Sequence, residues 1–252
     1  MRTGRGLFIV FEGGDGVGKT TQVDRLAAWL GQCGRTVVRT FEPGDTAAGR
    51  SIRGLLLDPA TGELSPRAEA LLYAADKAHH VDTVVRPALE AGAVVVCDRY
   101  VDSMLAYQGA GRVLDAGDVE GIARWATGDL RPHLTVLLDL DPQEALGAKT
   151  GLDRLEAAGD SFHERVRQSF LALAAAEPDH YLVLPARRPV DELGAAIVDR
   201  VAALLPSTLP STTEAGVSVP SGRLGVTPTG GRAGPGRANE QADEHANEQE
   251  EA

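Results

Sequence analysis

The chain has 252 residues, 43% of them hydrophobic, and a formal net charge of −11. That much apolar side chain supports one substantial core in one or two domains, while the acidic balance excludes the basic face that a nucleic-acid binder presents. No run reaches the roughly 18 apolar residues of a membrane span, the N-terminal stretch lacks a signal-peptide core, and Cys33 and Cys97 have neither disulfide-framework nor metal-ligand spacing. The expected setting is the cytoplasm, with no nucleic-acid and no membrane partner.

In chain order, the first predicted strand is the apolar run at 7–12. It meets a glycine-rich turn and an amphipathic helix at 19–31 carrying Val23, Leu26, Ala27 and Leu30. TVVRTF at 36–41 is a β-branched second strand that ends at the turn Glu42-Pro43-Gly44. A helix at 47–57 is expected to turn Ile52, Leu55 and Leu56 to one side. Ser65 and Pro66 then supply an N-cap and a first-turn proline. The long helix they start is predicted to run to about Glu90, with Leu71, Leu72, Ala75 and Ala78 inward and a break before Pro87.

AVVVCDRY at 93–100 and LTVLLDLD at 134–141 read as strands buried on both faces, with Cys97 a small core residue. A helical stretch with Val119, Ile122, Ala123 and Trp125 lies between them. A polar segment at 148–160, a helix at 161–176 with Phe162, Val166, Phe170 and Leu173, a strand at 181–185 and a helix at 190–205 complete the series. Strands alternating with helices predict an α/β fold: a five-stranded parallel sheet with right-handed crossovers and helices on both faces. From Pro206 the composition turns to proline, glycine and an acidic Glu/Gln/Asn-rich end without an aromatic. Such a segment buries too little apolar surface to offset its ordering entropy, so the expected division is a domain at 1–205 and a disordered tail at 206–252.

The chemistry is announced at 13–21. Gly13, Gly14, Asp15, Gly16, Val17, Gly18, Lys19, Thr20 and Thr21 fit G-x-x-x-x-G-K-T, between a strand and a helix. The glycines let successive N–H groups point inward at phosphate oxygens, Lys19 brings charge to the β/γ-phosphates, and the Thr20 hydroxyl is placed to ligate Mg²⁺. The helix N-terminus adds its positive end. The implied ligand is a nucleoside triphosphate, and the lack of an N-K-x-D motif disfavours GTP.

Asp98-Arg99-Tyr100 follows a central strand, and ligands of open parallel sheets sit beyond the carboxyl ends of the strands. Asp98 can hold a Mg²⁺ shell or orient Thr20, and Arg99 can fork onto a second phosphate; the alternative is an Asp–Arg pair capping a strand end. Ser103, Tyr107 and Gln108 suit a nucleobase and sugar or an ordinary helix surface. Tyr73 and Lys77, four apart, share a helix face. They can stack a base and read its edge, or be a core tyrosine beside a solvated lysine.

FIVFEGGDGVGKTTQ, FEPGDTAAGRSIRGLLL, ALLYAADKAHHV, CDRYVDSMLAYQGAGR, TVLLDLDP and LDRLEAAGDSFHERVR, in this order and spacing, closely resemble the thymidylate kinase family over about residues 7–200. The D-R-Y-x-x-S-x-x-A-Y-Q-G block is the specific part. The resemblance implies an adenylate-kinase-like P-loop NTPase fold with a short lid, a homodimer, and phosphoryl transfer from MgATP to dTMP, giving dTDP and ADP. It places Asp15 near the acceptor sugar and phosphate, Lys19 and Thr20 at ATP, and Arg99 on the dTMP phosphate with Asp98 beside the metal. Tyr73 stacks on thymine, Ser103 and Gln108 lie near its edge, Tyr107 crowds the 2′ position, and Glu42 begins the loop over the acceptor phosphate.

The segment 148–160 corresponds to the family's lid. The phosphate loop holds no arginine, so the resemblance assigns the transition-state cation to the lid, at Arg154, with Lys149 as second candidate. Lys77 stands where most relatives carry an arginine, Phe41 replaces another, and the lid looks short. These departures keep two alternatives open: a kinase of another nucleotide or nucleoside, and a non-catalytic nucleotide-binding module.

Overall fold

Five strands build the sheet in this computed structural model: β1 (Leu7–Gly13), β2 (Val37–Phe41), β3 (Val94–Asp98), β4 (Leu134–Asp139) and β5 (Tyr181–Pro185). All neighbouring pairs are parallel, in the order β2-β3-β1-β4-β5. The structure describes residues 6–145, 155 and 158–205. The chain divides into two units, Met1–Ser207 and Thr208–Ala252. The predicted tail 206–252 lies outside the described residues, as do Lys149 and Arg154.

The strands are apolar on both faces because both are covered. On β1, Leu7, Ile9 and Phe11 join Val94, Val96, Val136 and Leu138 in a core closed by helices α1 (Lys19–Gln32) and α9 (Val190–Ala202). Phe8 and Val10 point the other way, onto Val81, Val85, Val95, Cys97 and Tyr100. A third cluster fills the space among α3 (Pro66–His80), α6 (Ala116–Thr127) and α8 (Asp160–Ala176) through Tyr73, Tyr107, Val119, Phe162, Val166 and Phe170. Each such fully buried side chain contributes about 1.5–3 kcal/mol over exposure.

From β1 the chain crosses to β2 at one edge, returns to β3 and then passes to β4 on the far side of β1. The carboxyl end of β1 is therefore the switch point at which such sheets bind ligands.

Helix α2 (Ala47–Leu57) begins at Thr46, whose side chain accepts from the Gly49 N–H, and α3 begins at Ser65 with Pro66 in its first turn, as predicted. The run expected to reach Glu90 does so in three pieces: α3, a wider π turn at Val81–Val85, and α4 (Arg86–Glu90). The widening directly precedes Pro87, whose missing N–H removes a helical hydrogen bond.

The inward face predicted for this helix is half right: Leu72 and Ala78 pack against the core, and Leu71 and Ala75 do not. Leu71 is 56% exposed, Ala75 is exposed, and Leu72 and Ala78 are half-buried; Glu69, Ala70, Tyr73, Ala74, Asp76, Lys77 and His80 are buried instead. The helical period holds but its phase is rotated, because polar groups that find partners can be buried and hydropathy alone does not register the partners. Leu55, expected on one side of α2 with Ile52 and Leu56, is likewise exposed while Leu56 is buried, and Trp125 on α6 is 83% exposed.

Candidate active site

At the end of β1 the backbone turns sharply. Gly13 has φ 132°, and a Cβ there would meet the Leu138 carbonyl oxygen at 2.4 Å, so only glycine fits. Gly18, also at positive φ, leads into α1. Lys19 folds back over the loop and its Nζ donates to the carbonyls of Gly13 (3.1 Å) and Gly14 (2.7 Å). Burial and then the neighbouring Arg99 push its ammonium down to about 8, against the opposing pull of Asp98 and Asp15.

The Thr20 hydroxyl donates to Asp98 Oδ2 at 3.2 Å, while Asp98 Oδ1 is buried with no hydrogen-bond partner among the described residues. A hydroxyl beside a carboxylate with a free lone pair suits Mg²⁺, which takes few protein ligands and completes its shell with phosphate and water. Among the described residues, no cluster of three His, Cys, Asp or Glu side chains could hold a metal.

Arg99 begins where β3 ends. Its φ of 69° is uncommon for a side-chain-bearing residue and is held by its N–H bonding the Phe11 carbonyl at 2.8 Å. Its Nη1 donates to the Gly13 carbonyl (3.0 Å) and Ser103 Oγ (3.1 Å), and its Nη2 to Asp15 Oδ1 (2.7 Å). The guanidinium lies 5.2 Å from the Tyr107 ring centroid. Tyr107 and Gln108 sit on a π turn, Leu105–Gly111, that continues the short helix α5 (Val101–Met104), and Phe162 and Phe170 pack edge-on against Tyr107.

The wall opposite the loop is a buried charge network. Glu42 takes the Lys77 Nζ on Oε2 (2.5 Å) and the His80 Nδ1 on Oε1 (2.7 Å); Lys77 also donates to the Tyr100 carbonyl (2.7 Å). His80 Nε2 meets Thr40 Oγ1, which donates to Asp45. Burial alone would raise the Glu42 carboxyl, but Lys77 and His80 outweigh it and hold it below its usual value. Asp76 binds the Gly44 N–H at 3.1 Å, and burial together with Glu42 pushes its carboxyl up. Gln108 is fixed by its amide nitrogen to Glu69 (3.0 Å), which Arg112 forks. Gln108 Oε1 is therefore left as the acceptor end of that amide.

These groups line one cleft of about 800 Å³. Asp15, Gly16, Gly18, Lys19, Thr20 and Thr21 form one end with Asp98. Arg99, Ser103, Tyr107 and Gln108 form its side, and Glu42, Tyr73 and Lys77 the far wall. Val17 instead packs into the core below, and Gly13 and Gly14 serve through their carbonyls. Leu155, from the predicted lid, also reaches the cleft, buried to 7% exposure. Arg187, just after β5, is turned to Glu144.

Sequence reading missed Glu12, Arg53, Glu69, Asp76 and His80. Four of the five carry a readable signal: Glu69, Asp76 and His80 share a helix face with Tyr73 and Lys77, and Glu12 interrupts an apolar strand. Arg53, which donates to the Pro43 carbonyl at 2.8 Å and lines the cleft, carries none. Among the described residues no helix is long and apolar enough to cross a membrane.

Residues 11–197 match the family described as Thymidylate kinase. The thymidylate kinase of Cutibacterium acnes is 60% identical over 200 residues, covering 79% of this chain and 98% of that protein. The thymidylate kinase of Deinococcus radiodurans is 55% identical over 196 residues, 77% of this chain and 95% of that protein. Among solved structures, the thymidylate kinase from Ehrlichia chaffeensis is similar at 29% identity and TM-score 0.66, covering 79% of this chain and 99% of that one. A G-x-x-x-x-G-K-T loop, an arginine bonded to it and a walled cleft beside them thus occur here in a sequence matched by that family over most of its length and 60% and 55% identical to two such kinases over the aligned residues: the chain belongs to the thymidylate kinase family.

Proposed function

We propose that this chain transfers the γ-phosphoryl group of ATP to dTMP, giving ADP and dTDP, and that the cleft residues divide the work as follows. The loop N–H groups and Lys19 bind the triphosphate, Lys19 exchanging loop carbonyls for phosphate oxygens. Thr20 and Asp98 would hold Mg²⁺, which when bound neutralises charge on the phosphate oxygens. Arg99, steered by Asp15, grips the acceptor phosphate, with Arg53 and the Glu42-Pro43-Gly44 loop closing beside it. Tyr73 stacks on the base. Gln108 Oε1 accepts from a ring N–H, which thymine offers and cytosine does not. Lys77 keeps one N–H beyond its bonds to Glu42 and Tyr100 for a carbonyl of the base.

The acceptor phosphate, with a second pKa of about 6, is already dianionic near neutrality. Its oxygen attacks the γ-phosphorus in line without a general base, and catalysis reduces to positioning and charge neutralisation. Arg154, or Lys149, supplies the lid cation that acts in the transition state.

The observation that carries this reading is the convergence of Lys19, Thr20, Asp98 and Arg99 on one cleft, with Asp15 joined to Arg99. Exposed Leu55, Leu71 and Trp125 stand on α2, α3 and α6, which pack in sequence. They support a homodimer formed across those helices. The catalytic domain spans 1–205, the segment 206–252 is dispensable for turnover, and the enzyme works in the cytoplasm.

The test is ADP release from MgATP with dTMP, dUMP, dCMP, dGMP, AMP and thymidine offered in turn. Strong preference for dTMP is expected. Comparable rates on another monophosphate would reassign the acceptor, and silence on all of them with ATP still bound would make the chain a non-catalytic module.

A further inference from the structure

Glu12 is the acidic residue of β1 and is fully buried. By strand alternation it shares the face of Phe8 and Val10, where an apolar side chain is expected. A carboxylate there is tolerated only if partnered. Its Oε1 accepts from the N–H groups of Tyr100 (2.8 Å) and Ser103 (3.1 Å), and its Oε2 from Ser103 Oγ (2.6 Å). The first two bonds pin the turn after β3, where Arg99 has its positive φ. The third orients a hydroxyl: having donated to Glu12, Ser103 Oγ offers lone pairs, and Arg99 Nη1 donates to them.

We propose that Glu12 is a positioning residue that acts through Ser103 to fix the guanidinium of Arg99 at the acceptor end of the cleft. The proposal rests on the reading above for Arg99's role towards the acceptor phosphate, and on hydrogen-bond geometry alone for the relay. With Glu12 ionised, every group in the chain Glu12–Ser103–Arg99 has a matched partner. A proton on Oε2 reverses the first link: Ser103 then accepts from Glu12 on one lone pair and from Arg99 on the other, and its own proton must turn away from both. Arg99 keeps the Ser103 contact but loses the carboxylate charge behind it, so its anchor passes from a charge-assisted chain to an ordinary one.

The change falls in the working range, because burial and then Asp102 hold the Glu12 carboxyl up at about 7. The charged and titratable groups around it are Cys97 and Arg99 at the end of β3, Lys19 on α1, Asp102 on α5, Tyr107 on the π turn, and Tyr181 of β5, whose hydroxyl donates to Asp102. The sign follows: proton uptake below about 7 loosens Arg99, which then rests on Gly13 and Asp15, and weakens acceptor binding.

The experiment uses the full chain and Glu12→Gln, an isostere whose amide donates to Ser103 as protonated Glu12 does. In the ligand-free protein the Arg99 side-chain ¹⁵Nε resonance is followed on either side of about pH 7. It should titrate in the wild type and stay at its acid-limit position in Glu12→Gln. In turnover, Glu12→Gln should raise KM for dTMP by roughly threefold to tenfold, as expected when a charge-assisted bond becomes a neutral one. KM for ATP should hold, and the pH profile should reduce to the titration of dTMP itself. Ser103→Ala cuts the same relay while leaving the two N–H bonds to Glu12 Oε1 in place and should raise KM for dTMP at least as far, which keeps the test decisive if Glu12→Gln fails to fold.

A wild-type KM for dTMP in either variant, or an Arg99 resonance in Glu12→Gln that still titrates, overturns the relay. A wild-type protein whose Arg99 resonance titrates but which phosphorylates no dTMP overturns the proposed reaction and leaves the relay standing.

Discussion

At the Lys19 end of the cleft the binding groups, Asp98 apart, come from one stretch, residues 13–21, and many of them are main-chain groups whose placement depends on glycines and a helix start. At the far wall they come from β2 and its loop, from α3, and from the turn and helix after β3, and nearly all are side chains buried against one another. The first end is a backbone cradle that any sequence with the right glycines can form. The second is a polar core in which each charge is stable only because its partner is present. Damage to the first should therefore remove chemistry and spare the fold; damage to the second should cost fold and acceptor binding together.

The sharpest way to break that contrast is Lys19→Ala. It is expected to lower kcat by about a thousandfold or more with melting temperature nearly unchanged; retained turnover would undo the site assignment. Arg154→Ala tests whether the donor end is completed from the lid. It should lower kcat on the order of a thousandfold while the Kd for ATP moves little, since the contact forms mainly in the transition state. If Lys149→Ala has the larger effect, the lid cation is Lys149.

Glu42→Gln addresses the wall. Removing the charge between Lys77 and His80 leaves a buried ammonium uncompensated, for a loss of about 3–5 kcal/mol. In a domain of this size that corresponds to roughly 10 °C in Tm, and a drop of only a degree or two would show the network to be ornamental.

The wall also predicts a pH dependence. Glu42 is held below the 4.5 of an unfolded glutamate. Its contribution is therefore fully present above that value and is lost as pH falls through the folded one, because the unfolded chain takes up the proton first. Glu42→Gln should flatten that acid limb in a denaturant titration series. The smallest effects belong to regions away from both ends. Trp125→Ser should shift a dimer towards monomer in sedimentation while altering kcat little, and truncation after Leu205 should leave both Tm and activity within error.

How much of this was legible in the chain follows the same contrast. The cradle was readable because its parts are adjacent in sequence and its glycines answer to local backbone geometry, as Gly13 against the Leu138 carbonyl shows. The five strands were readable from continuous apolar runs, and Arg99 from its place at a strand end. The face of α3 was half misread. Leu71 faces outward and Lys77 inward because Glu42, some 35 residues earlier, supplies the counter-charge. Ser103, expected near a base edge, lines the cleft, and only the structure shows that its hydroxyl also bonds Glu12 and Arg99.

By itself, then, the sequence determined the α/β alternation, the phosphate cradle and the family. Which polar residues lie inside, what Glu12 and His80 are for, and how Gln108 is turned were decided only by tertiary structure. The physical reason is that a buried charge is stable or ruinous according to a partner that the fold, and not sequence neighbourhood, brings within 3 Å or so.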